Sequence, residues 1–197
     1  MQQRGQARGH REPARPAEAH LSRATVAFVG RHNSGKTTFL CALLPLLVAR
    51  GLRVGYLKHA HEGFEIDQPG KDSYRVRRTG VVQTILAGGG QVAVIDDAWV
   101  GDPGSAEAKE TTSFDSIVER YVRDDLDLLV VEGYKGEPLP KIEVARAALS
   151  HSLLRAGDPA LIAVVSDFDP PGVGVPRFGL DDAAGVADLL ASRVAVG

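Results

Sequence analysis

The sequence predicts an α/β fold, a mostly parallel twisted sheet with helices on both faces, from three observations. Short apolar runs at 24–29, 126–131 and 161–165 read as strands buried on both faces. Segments of helical periodicity stand between such runs, and strand, helix and strand in alternation build parallel sheets. The first strand leads directly into Gly30-Arg31-His32-Asn33-Ser34-Gly35-Lys36-Thr37, which is G-x-x-x-x-G-K-T, and a helical pattern follows it. That context is the one a phosphate-binding loop requires. The expected fold is therefore that of a phosphate-loop NTPase, and the expected ligand is a nucleoside triphosphate.

Composition sets the outer limits. With 197 residues, 44% hydrophobic and 24% charged, the chain suits one sizeable core and hardly two domains. A net charge of −2 gives no global attraction to nucleic acid or anionic membranes, and neither is an expected partner. No apolar run approaches the ~20 residues of a membrane span. One cysteine, Cys41, cannot form an internal disulfide, which fits a reducing cytoplasm. It is expected as a small buried residue of the first helix. Residues 1–23 differ in kind: Arg4, Arg8, Arg11 and Arg15 alternate with Gly, Ala, Gln and Pro. Such a segment buries too little to offset its ordering entropy and is expected to be a disordered tail before a folded domain at 24–197. A transit peptide fits poorly, because Glu12, Pro13, Pro16 and Glu18 spoil its pattern.

Taken in order, the first helix runs from Lys36 to about Arg50 and stops at Gly51. Phe39, Leu40, Leu43, Leu44, Leu46, Leu47 and Val48 make it apolar nearly all round, so it should be mostly buried. Pro45 should kink it. Residues 52–58 read as the next strand. Lys58, His59, His61, Glu65, Asp67, Lys71, Asp72 and Ser73 follow it, and loops after strand carboxyl ends are where such sheets bind ligands. His59 and His61 read either as a metal pair or as solvated or phosphate-facing histidines. Residues 72–78 read as a short helix capped by Asp72 or Ser73 and closed by Gly80. Its Arg75 and Arg78 share a face, which meets either an anionic ligand or solvent. Residues 82–86 and 91–95, joined through Gly88-Gly89-Gly90, read as a hairpin. Asp102–Ser105 reads as a loop, and 114–122 as a helix. Residues 141–144 alternate like a strand. A last helix runs from Leu180 to about Val194 and buries Val186, Leu189 and Leu190.

Three acidic or basic groups carry the chemistry. Lys36 can reach the β- and γ-phosphates, while the Thr37 hydroxyl can sit on Mg²⁺. Glu132 ends an apolar strand, the place where a second carboxylate holds Mg²⁺ directly or through water. Gly133 beside it permits close approach of the γ-phosphate. Asp167 ends a later strand and has two readings. It either accepts hydrogen bonds from guanine N1–H and N2–H₂, which adenine lacks, or caps the following turn.

These residues resemble one family, the MobB proteins. The resemblance rests on Gly35-Lys36-Thr37-Thr38 with Leu44-Pro45, on Lys58-His59-Ala60-His61 and on Asp67-Gln68-Pro69-Gly70-Lys71-Asp72-Ser73-Tyr74. Leu129-Val130-Val131-Glu132-Gly133-Tyr134-Lys135, Pro140-Lys141-Ile142 and Ser166-Asp167 extend it. It implies a phosphate-loop GTP-binding adapter, a homodimer with weak GTPase activity. It also implies that the protein assists attachment of GMP to molybdopterin, together with the guanylyltransferase MobA. By that match Gly30, Asn33, Ser34, Gly35, Lys36, Thr37 and Thr38 bind phosphates, and Glu132 sits near Mg²⁺. Lys58, His59, Lys71 and Arg75 belong to a basic segment expected to meet a second anion, the phosphate of molybdopterin. The alternative function is a phosphate-loop kinase acting on a small molecule, with the Arg75–Arg78 stretch as its lid.

Overall fold

A computed structural model describes residues 23–60, 66–96 and 112–195. The tail before Arg23, His61, Glu65 and the Asp102–Ser105 loop lie outside the described residues. Strand β1 (Ala24–Val29) leads into helix α1 (Lys36–Ala49), strand β2 (Val54–Lys58) and helix α2 (Asp72–Arg77). A hairpin of β3 (Gln83–Gly88) and β4 (Gln91–Asp96) comes next, and then α3 (Phe114–Tyr121). The chain closes with β5 (Leu128–Glu132), β6 (Lys141–Ala145), β7 (Leu161–Ser166), β8 (Arg177–Phe178) and α4 (Ala183–Val194).

Six strands form one sheet in the order β2-β5-β1-β6-β7-β8, and every pair in it is parallel. The apolar runs explain this, because a parallel sheet is covered on both faces and needs no polar side. Val26 and Phe28 of β1, with Leu128, Val130, Ile142, Val144, Ala163 and Val165, turn to one face. There they meet Leu40, Leu43 and Leu47 of α1 and Val186 and Leu190 of α4. Ala27, Val29, Leu129 and Val131 turn to the other face, against Phe114 and Val118 of α3. Helices thus cover both faces, as the sequence predicts. Each such aliphatic side chain, fully buried, contributes on the order of 1.5–3 kcal/mol.

Several expectations change. Helix α1 runs unbroken through Pro45 but is buried on one side only, at Phe39, Leu40, Leu43 and Leu47. Cys41 is exposed rather than buried, together with Ala42, Pro45 and Val48, because an outer-layer helix meets its sheet along a single stripe. Helix α2 begins after Lys71, which makes no side-chain cap bond; Ser73 Oγ donates to Asp67 Oδ1 instead. Arg23 is buried and donates to the Arg123 carbonyl, so it is tied into the fold.

Strand β6 alternates polar and apolar residues, yet all five of its residues are buried. Its two charges are satisfied internally, as buried charges must be. Lys141 donates to the carbonyls of Glu137 and Leu139 at 2.7 and 3.2 Å and pairs with Asp158 at 3.3 Å. Glu143, 1% exposed, accepts from the backbone N–H groups of Leu154 (2.7 Å) and Arg155 (2.8 Å). This carboxylate therefore organises the segment that leaves β6. Glu143→Ala is expected to orphan both donors and to destabilise the protein by about 1–3 kcal/mol for each, read as the shift in a urea unfolding midpoint.

Candidate functional site

The register of the sheet assembles the site. Phe28 of β1 stands opposite Glu132 of β5, and Lys58 of β2 stands opposite the same Glu132. The carboxyl ends of the neighbouring strands β2, β5 and β1 are thereby level, and the phosphate loop rises from β1, beside the Glu132 end of β5. A cavity of about 690 Å³ opens above them. Gly30, His32, Asn33, Gly35, Lys36, Thr37 and Thr38 line it from the loop, and Lys58, His59, Glu132, Gly133 and Lys135 from the two neighbouring strand ends.

Loop geometry is tight. Gly30 has φ +146°, and a Cβ there would lie 2.3 Å from the Val144 carbonyl oxygen of β6. Asn33 takes a left-handed φ of 60°, which Asn tolerates better than most residues. Ser34 is 1% exposed and directs its side chain inward, where Oγ has no partner among the described residues. Lys36 Nζ folds back on the Arg31 carbonyl at 2.8 Å and the Gly30 carbonyl at 3.3 Å. Burial pushes its ammonium below the usual lysine range, and the nearby Glu132 charge works against that shift. The helix N-terminus behind the loop and the lysine in front make a place for an oligophosphate.

Thr37 and Glu132 meet across the loop. Thr37 Oγ1 donates to Glu132 Oε1 at 3.0 Å and Oε2 at 3.2 Å. Glu132 is 6% exposed and also accepts from Tyr56, while Lys58 Nζ approaches Oε1 at 3.6 Å. A hydroxyl and a carboxylate this close, next to a phosphate cradle, are the two protein oxygens that Mg²⁺ takes when phosphate and water complete its shell. The residues present fit that ion. Gly133 turns sharply at φ +99°, and a Cβ there would press on His59 Cβ at 3.1 Å. The turn seats the Tyr134 ring on His59, with centroids 4.5 Å apart, and Tyr134 itself holds a left-handed φ of 44°. Phe114 packs edge-on against Tyr134, behind the lining residue His59.

Other expected site residues stand elsewhere. Lys71, just before α2, and Arg75 on it are exposed; Arg75 pairs with Asp72 at 3.8 Å, and neither residue lines the cavity. Asp167 is exposed at the end of β7 and accepts from the Ala147 N–H at 2.7 Å. That bond joins the loop after β7 to the one after β6, rather than capping the turn that follows Asp167. Sequence reasoning missed Arg146, which follows β6. Its Nε donates to the Ser34 carbonyl at 3.1 Å, and its guanidinium lies against Gly35. Only the neighbouring of β6 and β1 brings it there, and no local motif announces that. It also missed Tyr56, which reads as an ordinary strand residue. Gly30→Ala is expected to displace the loop, since backbone meets its new methyl. A loss of about 1–3 kcal/mol should appear in thermal unfolding without nucleotide, with GTP affinity falling in parallel.

Comparison with known proteins agrees with this geometry. A model of the MobB family, molybdopterin guanine dinucleotide synthesis protein B, matches residues 25–167. The molybdopterin-guanine dinucleotide biosynthesis adapter protein of Escherichia coli K12 is 35% identical over 166 residues, covering 84% of this chain and 90% of the relative. The adapter protein of the same description from Haemophilus influenzae is 35% identical over 143 residues, covering 73% of this chain and 74% of its own. Among solved structures, molybdopterin-guanine biosynthesis protein B superposes with a TM-score of 0.64 at 27% identity, covering 86% of this chain and 98% of that one. This chain belongs to the MobB family.

Proposed function

We propose that the protein is a GTP-binding adapter with weak GTPase activity that assists attachment of GMP to molybdopterin. The single observation that carries the reading is the Thr37–Glu132 pair beneath the phosphate loop, 3.0 Å apart and level with Lys36. In this reading the loop N–H groups and Lys36 bind the β- and γ-phosphates, and Thr37 and Glu132 hold Mg²⁺. The ion neutralises charge that develops on the phosphates. In this reading charge stabilisation during hydrolysis is modest and turnover slow. A kinase, whose arginines close over the phosphates, is disfavoured; Arg75 lies on α2, away from the cavity.

Partners follow from the family and from two surfaces. Lys58 and Lys135 give the cavity cations beyond the loop lysine, and they suit the phosphate of molybdopterin, with His59 beside them as a polar ring. Lys71 and Arg75 carry the same charge farther along this segment. The hairpin exposes Val82, Ile85, Leu86, Val92 and Val94 at its start and along its strands, more apolar surface than an isolated two-stranded ribbon keeps in water. A homodimer would cover it, and the guanylyltransferase MobA is the partner for the transfer itself. No helix among the described residues is long and apolar enough to cross a membrane; a cytoplasmic site of action is part of the proposed reading.

Guanine is the expected base, and Asp167 is the candidate reader, presenting Oδ2 while Oδ1 holds the Ala147 N–H. Calorimetry with GTP, ATP and Mg²⁺ tests the reading. GTP should bind at least tenfold more tightly than ATP, and Lys36→Ala should weaken GTP about ten- to a hundredfold through loss of a charge-assisted contact. Unchanged affinity in a folded Lys36→Ala protein would remove the phosphate-loop assignment.

A further inference from the structure

We infer that Tyr56 is a positioning residue for the Glu132 carboxylate, a strut from the sheet edge that fixes the face Glu132 presents to Thr37 and to a divalent cation. The inference rests on the Mg²⁺ role proposed for Glu132. Strand β2 pairs only with β5 in the sheet, with Tyr56 opposite Val130 and Lys58 opposite Glu132. Residues two apart share one side of a strand, so Tyr56 and Lys58 both reach the same carboxylate. Their contacts differ. The Tyr56 hydroxyl donates to Oε2 at 2.6 Å, a short charge-assisted bond, whereas Lys58 Nζ stands 3.6 Å from Oε1.

Such a strut has work to do. The terminal torsion of a glutamate is soft and roughly two-fold, so a carboxylate held at one oxygen can turn away. Thr37 touches both oxygens at 3.0 and 3.2 Å and does not choose between them. Lysine is a flexible point charge, but a tyrosine ring has few torsions and arrives with a fixed reach. Core packing does not account for Tyr56, because the side chain is 45% exposed while its hydroxyl rests on a carboxylate that is 6% exposed. Groups that hydrogen-bond a metal ligand set its orientation, and their loss typically weakens metal binding ten- to a hundredfold.

The test uses Mn²⁺ as the probe, titrated into full-length protein saturated with a non-hydrolysable GTP analogue and followed by the electron paramagnetic resonance signal of free Mn²⁺. Tyr56→Phe keeps the ring and removes the hydroxyl. Its Mn²⁺ affinity should fall about tenfold, with the bound-ion spectrum broadened, while analogue affinity measured in a metal chelator stays at the wild-type value. Glu132→Gln should lose more Mn²⁺ affinity than Tyr56→Phe. Wild-type Mn²⁺ affinity in Tyr56→Phe, with loss in Glu132→Gln, overturns the positioning role alone. Wild-type affinity in both overturns the metal role of Glu132 and this inference with it. Weaker analogue binding by Tyr56→Phe in chelator would assign Tyr56 to general site structure and also overturn the inference.

Discussion

The parallel register of β1 and β5 is the constraint on which the site depends. It sets Phe28 opposite Glu132, so the strand that ends in the phosphate loop and the strand that ends in the carboxylate finish at one level. A shift of one residue would turn Glu132 to the opposite face of the sheet and separate it from Thr37. What fixes the register is packing. Val26, Phe28, Leu128 and Val130 fill one face against α1 and α4, and Ala27, Val29, Leu129 and Val131 fill the other against α3. The hydrophobic core and the binding geometry are therefore one arrangement seen at its middle and at its edge.

From that edge, charges are disposed unevenly. Lys36, Lys58 and Lys135 line the cavity with the buried Glu132 as their counter-charge. The lysine of the loop is partly desolvated, and burial pushes its ammonium below the usual lysine range; an anion arriving beside it favours the charged form. On the other side of the loop, Arg146 braces the Ser34 carbonyl, and Asp167 ties the loop after β7 to the one after β6. The two sides of the loop are thus built from different strand ends, β2 and β5 on one side and β6 and β7 on the other; in the proposed reading the first faces the phosphates and the second the base. That division suits a protein that holds a nucleotide while another ligand approaches its phosphates.

Much of this was legible in the chain because it is local. Ala24–Val29, the glycine-rich loop and the helix behind it are contiguous, and hairpin and strands carry their own periodicity. What needed the fold was everything set by neighbours. Lys141 and Glu143 look like the wet side of a strand, yet Asp158 and the N–H groups of Leu154 and Arg155 bury them. Cys41 sits among apolar residues in sequence but on the uncovered side of α1. Arg146 and Tyr56 gain their importance from strand order, which a one-dimensional pattern does not contain. The short β8, two residues long, carries too little periodicity to be seen at all.

Thr37 and Glu132, ninety-five residues apart in sequence, are proposed to act as one cation-holding pair. A double-mutant cycle on Mg²⁺-dependent affinity for GTP, using Thr37→Ala, Glu132→Gln and the double variant, measures that directly. Groups that share one ion are coupled, and the predicted interaction energy is about 0.5–3 kcal/mol, with the second change costing less than the first. Strictly additive losses, or losses that persist unchanged when Mg²⁺ is removed, would contradict the account.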